Sequence, residues 1–341
     1  MASFTTTPPT LDPSDYTLTP IEQQWLITIK QAILDDDIKY YRKNKKTPFE
    51  QPILTDLLWC QLAIVTKGKA KKAVIRMKKL RHLWQEYDFA SKTTEEALKF
   101  CAEKMPGFTL PCTNDKGSHP VLAMDYSMFL PDNIKTKEDW GYLMYSMVMW
   151  CDCVTSTFNE MRKGSVWICQ CENLGWKNFS LEMEKKCNDA LMDSYPVKYK
   201  SMTMVNGGLI LNTIIGLCKF FIKKKLADRI RLIGNDDLVV GGAGGMVGEV
   251  GEEGEEGEEG GESKAAEHAR KKGDVEEDFA GCCEFRSMEE LPSMFGGTYV
   301  CTMREWVEEC LERRRVVGVR VAAGAAVAVA EEEEEVVEVT L

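Results

Sequence analysis

Between Leu209 and Ile222 the chain runs for 14 residues with apolar side chains facing almost every direction. A helix of that kind has to be buried or to meet lipid. At roughly 21 Å it is too short to cross a bilayer. Its flanks narrow the choice further. Tyr195-Pro196 make a turn, and Lys198–Val205 alternates as a strand does, which places Lys198 and Lys200 on one face. Asn206-Gly207-Gly208 breaks that strand. After the apolar run come Lys223, Lys224, Lys225 and Arg229, of which Lys225 and Arg229 are i,i+4 neighbours on one helix face. A second strand, Ile230–Ile233, follows.

The rest of the chain reads as helices first and then as alternating strands and helices. Helices are expected at Ile21–Asp36 behind Thr19-Pro20, at Ile53–Val65 behind Pro52, at Lys71–Tyr87 and at Thr94–Met105. In the third, Val74, Ile75, Met77, Leu80 and Leu83 form the apolar stripe. Beyond Pro106 the pattern predicts a strand at Pro120–Phe129, a long helix at Lys137–Met161, a strand at Gly164–Glu172 and a helix at Asn178–Ser194. A last helix is expected at about Glu305–Arg315. Helices alternating with strands behind a helical block argue for an α/β domain with a mixed sheet.

The net charge of −11 conceals an uneven distribution. Residues 236–290 contribute −13 and residues 331–341 contribute −6, so the remainder of the chain carries +8. A basic body with acidic appendages suits an anionic membrane surface. No nucleic-acid partner is expected, because no RRM, zinc-finger or helix-turn-helix signature accompanies the charge. No apolar segment follows the opening residues, so a signal peptide is not expected, and the 13 cysteines read as reduced cytosolic thiols.

Residues 236–286 are Gly/Glu-rich, too hydrophilic and too glycine-rich to order themselves. Cys151-x-Cys153 and Cys169-x-Cys171 lack CxxC spacing and histidine company, so neither metal nor cofactor is expected. His82, His119 and His268 sit in no nucleophile–base motif, and the glycines of 241–248 fail the dinucleotide spacing. An enzyme is not expected.

The order of strand, polar turn, apolar helix, basic end and strand resembles the core of the CRAL-TRIO family of lipid-binding proteins. Tyr195-Pro196, Asn206, Lys219, Arg229-Ile230 and Gly234-Asn235 support the likeness. A second, separate stretch, Leu291-Pro292-Ser293-Met294-Phe295-Gly296-Gly297-Thr298, looks like the motif that closes the family's domain. The resemblance covers roughly Leu54 to Arg315 apart from the insertion, and is strongest to the branch with the alpha-tocopherol transfer protein, the clavesins and the retinaldehyde-binding protein.

It implies a mixed sheet flooring a lipid cavity, a mobile gate helix above it, and a small all-α domain in front. The expected layout is a disordered segment 1–17, a helical domain 18–105 and a lipid-binding domain 106–300 interrupted by the disordered insertion 236–286. A C-terminal helix 301–315 and a low-complexity tail 316–341 complete it.

The resemblance also assigns roles. Lys198, Lys200, Lys225 and Arg229 match a patch that binds phosphoinositide headgroups; their ordinary alternative is a solvated basic face. Met144, Met147, Cys151, Cys169, Val197 and Met202 match the cavity wall, and Leu209, Leu211, Ile214, Ile215, Phe220 and Phe221 the gate. The family's basic signature on the second helix reads Leu57-Leu58-Trp59-Cys60-Gln61-Leu62 here, and the nearby Lys67 and Lys69 are not counted in the site.

Where phosphatidylinositol-transferring members carry a glutamate and a lysine, this chain has Val197 and Arg229, which favours a neutral lipid cargo. The implied function is transfer or presentation of a hydrophobic lipid at phosphoinositide-bearing membranes, from the cytoplasm. Two alternatives stand beside it. One is a lipid-gated module that captures a protein partner through the acidic insertion; the other is phosphatidylinositol/phosphatidylcholine transfer.

Overall fold

The computed structural model describes residues 11–45, 55–112, 114, 119–218, 220, 224–233, 292, 295, 298, 299 and 301–340, without the side chains of 189–193, 225, 226 and 323–340. The insertion 236–286 lies outside the described residues.

Threonine starts most of the helices. Thr19 caps α1 (Pro20–Asn44), Thr55 caps α2 (Asp56–Thr66) and Thr93 caps α4 (Thr94–Lys104), each accepting from a backbone N–H of the first turn. Between α2 and α4 lies α3 (Ala70–Glu86). Ile29 and Ile33 of α1 pack on Leu62 and Ala63 of α2 and on Ala73 and Met77 of α3. The stripe of α3 is therefore Ala73, Met77, Leu80 and Leu83. Ile75, counted in it from sequence, is 47% exposed. Helix α1 runs eight residues past the expected Asp36, because no breaker interrupts it before Lys45 turns left-handed.

Five strands follow: β1 (Thr109–Leu110), β2 (Val121–Asp125), β3 (Ser165–Gln170), β4 (Tyr199–Val205) and β5 (Ile230–Ile233). They lie in that order, with β1 antiparallel to β2 and the other pairs parallel. Parallel neighbours need crossovers, and helices supply them. Helices α5 (Lys137–Cys153) and α6 (Phe158–Lys163) link β2 to β3, and α7 (Leu181–Asp193) links β3 to β4. Helices α8 (Gly208–Cys218) and α9 (Lys224–Ala227) link β4 to β5.

Every residue of β3 is buried, as expected for a central parallel strand covered on both faces. Alternation sorts the side chains. Leu122, Met124, Trp167, Cys169 and Met202 join the large core under the helices. Val121, Ala123, Val166, Ile168 and Val205 form the other face, covered by Cys112 and by Phe295 of the Leu-Pro motif. Of that motif Pro292, Phe295 and Thr298 are described, and Pro292 bridges Tyr299.

Three expectations are corrected here. The long helix Lys137–Met161 is two helices. Thr157 opens α6 with a capping box to Glu160, while Ser156 donates to the same carboxylate, so the chain turns at 154–157. Residues 11–17 are ordered: Asp12 caps a short turn at Pro13–Asp15, and Arg162 holds the backbone carbonyls of Ser14 and Thr17. The last helix, α10, extends over Met303–Thr340 rather than stopping at Arg315. No proline interrupts 303–340, and Val317 finds a buried seat against Leu57, Phe158 and Met161.

A buried polar junction ties these parts together. The Arg314 guanidinium of α10 lies 2.7 Å from the Asp152 carboxylate of α5 and donates to Thr155 O and Gln61 Oε1. The Tyr195 hydroxyl donates to Asp152. Gln61 Nε2 donates to Pro196 O, and Arg76 donates to Tyr195 O. Burial holds the Asp152 carboxyl above the usual carboxylate range, with Arg314 and Tyr195 pulling the other way.

Removing one partner of such a pair leaves the other charge without compensation. Asp152→Ala is expected to lose about 3 kcal/mol of stability in urea unfolding, and Asp152→Leu combined with Arg314→Met to recover part of it. Additive losses in the double variant would show that the two residues do not act as a pair.

Candidate functional site

The turn before α8 is built for a tight approach. Asn206 and Gly208 have positive φ (58° and 52°), and a Cβ on Gly207 would lie 1.8 Å from Leu211 Cδ2. Glycine at 207 thus lets Leu211 fold back over the turn. Helix α8 then buries one face, Leu211, Ile214 and Cys218, and leaves Asn212, Thr213 and Gly216 exposed. It ends at Cys218 rather than at Ile222; Lys219 and 221–223 lie outside the described residues.

Under that face is a cavity of about 100 Å³. Leu211, Ile214, Ile215 and Cys218 form its roof, and Trp167, Met202, Met204 and Ile230 of the sheet form its floor. Helix α5 contributes Met147, and α7 contributes Glu184, Cys187 and Asn188. Tyr126, Cys171, Leu174, Asn178 and Phe179 close the sides.

Of the six wall residues expected from sequence, Met147 and Met202 line this space. Met144, Cys151, Cys169 and Val197 do not: they are packed solid in the core behind it. Of the gate residues, Leu211, Ile214 and Ile215 face the cavity. Leu209 and Phe220 point outward, 86% and 89% exposed, and Phe221 lies outside the described residues.

Sequence reasoning missed Met204 and Trp167, although strand alternation from Met202 and Cys169 leads to both. It also missed Glu184, which helical spacing sets on the same face of α7 as Cys187 and Asn188.

Apart from Glu184, the titratable groups of the walls are neutral near pH 7. Burial raises the Tyr126 hydroxyl and the Cys187 thiol well above their usual values, and the Cys171 and Cys218 thiols to about 12. The Glu184 carboxyl is raised to about 7, with burial the cause.

The second cluster is cationic. Lys198 lies just before β4 and donates to Arg162 O; Arg229 lies just before β5 and donates to Tyr199 O. Burial lowers the Lys198 ammonium below its ordinary value, and Lys67, Lys200 and Arg229 push it the same way. These four cations therefore share one field, and Lys67, which caps the end of α2, belongs with them. The Lys225 side chain lies outside the described residues. Gly164 keeps the spot open: its φ is +85°, and a Cβ there would stand 2.8 Å from Lys198 O.

Among the described residues no group of His, Cys, Asp and Glu is placed to hold a metal ion. No described helix is long and apolar enough to cross a membrane.

Comparison with known proteins bears on this arrangement. The CRAL/TRIO domain model matches residues 104–239, which contain every lining residue of the cavity and, Lys67 aside, the basic cluster described above. The comparison with curated proteins gives no match. Among solved structures the chain is similar to the one titled "Crystal structure of Sfh5", at 12% identity and a TM-score of 0.40, over 64% of this chain and 81% of that one. The chain thus carries a CRAL/TRIO domain, a mixed α/β fold on a five-stranded sheet, with a helical N-terminal region in front of it.

Proposed function

We propose that this chain holds one hydrophobic lipid beneath α8 and exchanges it, from the cytoplasm, at membranes that display phosphoinositide headgroups. CRAL/TRIO domains bind lipophilic ligands and typically take part in lipid transfer. The observation that carries the finer reading is the Arg229-Ile230 pair. Arg229 belongs to the cation cluster and Ile230 to the cavity floor, so adjacent residues connect the two sites.

The cation cluster suits a multiply charged phosphate. Lys198, half-buried and repelled by Lys67, Lys200 and Arg229, is relieved by an anion in their midst. Arginine adds bidentate geometry and the lysines add point charge. The Lys225 side chain, on α9, is counted with them on the family resemblance.

The cavity is small with α8 in this position. One water needs roughly 10–15 Å³ of such space, so about 100 Å³ holds a few waters or a short stretch of chain. Cargo therefore enters only when α8 lifts. That motion is supported by the contacts of α8, which holds on by one face and pivots on a glycine turn. Leu209 and Phe220 then dip into the membrane. Each contributes ~1.5–3 kcal/mol when buried, enough for transient docking. Phosphoinositide at the cluster favours the open state by binding it better, and no catalytic step or cofactor is involved.

Two measurements test this. Removing Lys200, Lys225 and Arg229 one at a time as glutamine should weaken binding to phosphoinositide vesicles about fivefold per charge, ~1 kcal/mol each. Transfer to those vesicles should fall with it. Unchanged transfer in all three variants would end the headgroup reading. Gly207→Ala should push Leu211 off the cavity roof and speed cargo exchange with neutral vesicles, read by stopped-flow fluorescence of a labelled lipid; slower or equal exchange would speak against α8 as the gate.

A further inference from the structure

The cavity is apolar on most sides, yet one ionisable carboxyl, Glu184, is part of its wall. Among the described lining residues there is no lysine, arginine or histidine. On its own helix, Lys186 pairs with Glu182 at 2.8 Å and lies over the Trp140 ring. The titratable groups that feel Glu184 from the surrounding elements are Tyr126 beyond β2, Cys169 on β3, Cys187 on α7 and Cys218 on α8. Burial keeps the proton on each of them, so they stay neutral, and neither a thiol nor a phenol can supply a positive counter-charge. Asn178 is already spent, donating to Ser127 O and Phe129 O and accepting from Gly175 N–H. The polar spot that remains is Glu184 beside Asn188 and Tyr126.

We propose that Glu184 anchors the polar end of the cargo, and that the cargo is an uncharged lipid ending in an alcohol or phenol rather than in an anionic head. This rests on the reading of the cavity as a lipid site. A carboxylate or phosphate placed here would meet a carboxyl of like charge with no cation to compensate. A plain hydrocarbon would leave the half-buried carboxyl without a partner inside the cavity. A hydroxyl satisfies Glu184 in both protonation states: it accepts from the carboxylic acid and donates to the carboxylate. A ketone or aldehyde only accepts, and so suits Glu184 only on the acid side of its titration. Anionic recognition is left to the cations around Lys198, outside the cavity.

The test uses the full chain and phosphatidylcholine vesicles loaded with stearyl alcohol, stearate, stearaldehyde or octadecane. Uptake is read by mass spectrometry of the protein recovered from the vesicles, on the alkaline side of about pH 7. The unmodified chain should take up the alcohol about tenfold better than the other three. Glu184→Leu should erase that preference. Glu184→Gln, which keeps the hydrogen bonds and removes the charge, should retain the alcohol and admit stearate. Equal uptake of all four lipids, or an unchanged ranking in Glu184→Leu, overturns the role of Glu184 while leaving the lipid reading intact. Uptake of none of them, with the variants unfolding in urea as the unmodified chain does, overturns both.

Discussion

The Asp152–Arg314 pair is the point on which the separate parts of this chain converge. A carboxylate on α5 and a guanidinium on α10, 162 residues apart in sequence, meet with their remaining donors and acceptors directed at α2 and the Tyr195-Pro196 turn. Two ions taken out of water are tolerated only where their hydrogen-bonding capacity is filled. Here Gln61, Thr155 and Tyr195 fill it. The consequence is geometric: the helical N-terminal region, the long α5, the entry to β4 and the C-terminal helix are held in one arrangement.

That arrangement places a rigid side next to a loosely held one. The Tyr195-Pro196 turn leads within two residues to Lys198 and then into β4, so the cation cluster starts from the anchored junction. At the far end of β4 the constraint relaxes. Helix α8 rests on the sheet through Leu211, Ile214 and Cys218, shows its other face to solvent, and is joined to β4 by a turn that only glycine and left-handed asparagine accommodate. Helix α8 is thus held along one face only, beside a densely packed core.

Much of the site was legible because it is local. Tyr195-Pro196, the Asn206-Gly207-Gly208 break, the apolar run and the Arg229-Ile230 pair occupy neighbouring stretches of chain, and period-2 alternation is enough to seat Met202 on the cavity face. The misses have a common cause. Met144, Cys151, Cys169 and Val197 are as apolar as the true lining, and hydrophobicity does not distinguish a wall from the packing behind it. Lys67 sits 131 positions before Lys198, and no local pattern announces that the end of α2 meets the start of β4. Nothing in the local sequence sets Glu184 apart from the other acids of α7; only the fold brings Tyr126, Cys187 and Cys218 around the same space.

The amino-acid order alone determined the class of fold, the alternation of strands and helices, the threonine-led helix starts and the segment that roofs the cavity. These follow from propensity, capping and periodicity, which act over a few residues. Tertiary structure alone decided which side chains of α3 face the core, which side chains border empty space, and that a carboxyl stands among them. Each of these depends on what lies across the core, because burial and electrostatic environment are properties of neighbours in space and not of neighbours in the chain.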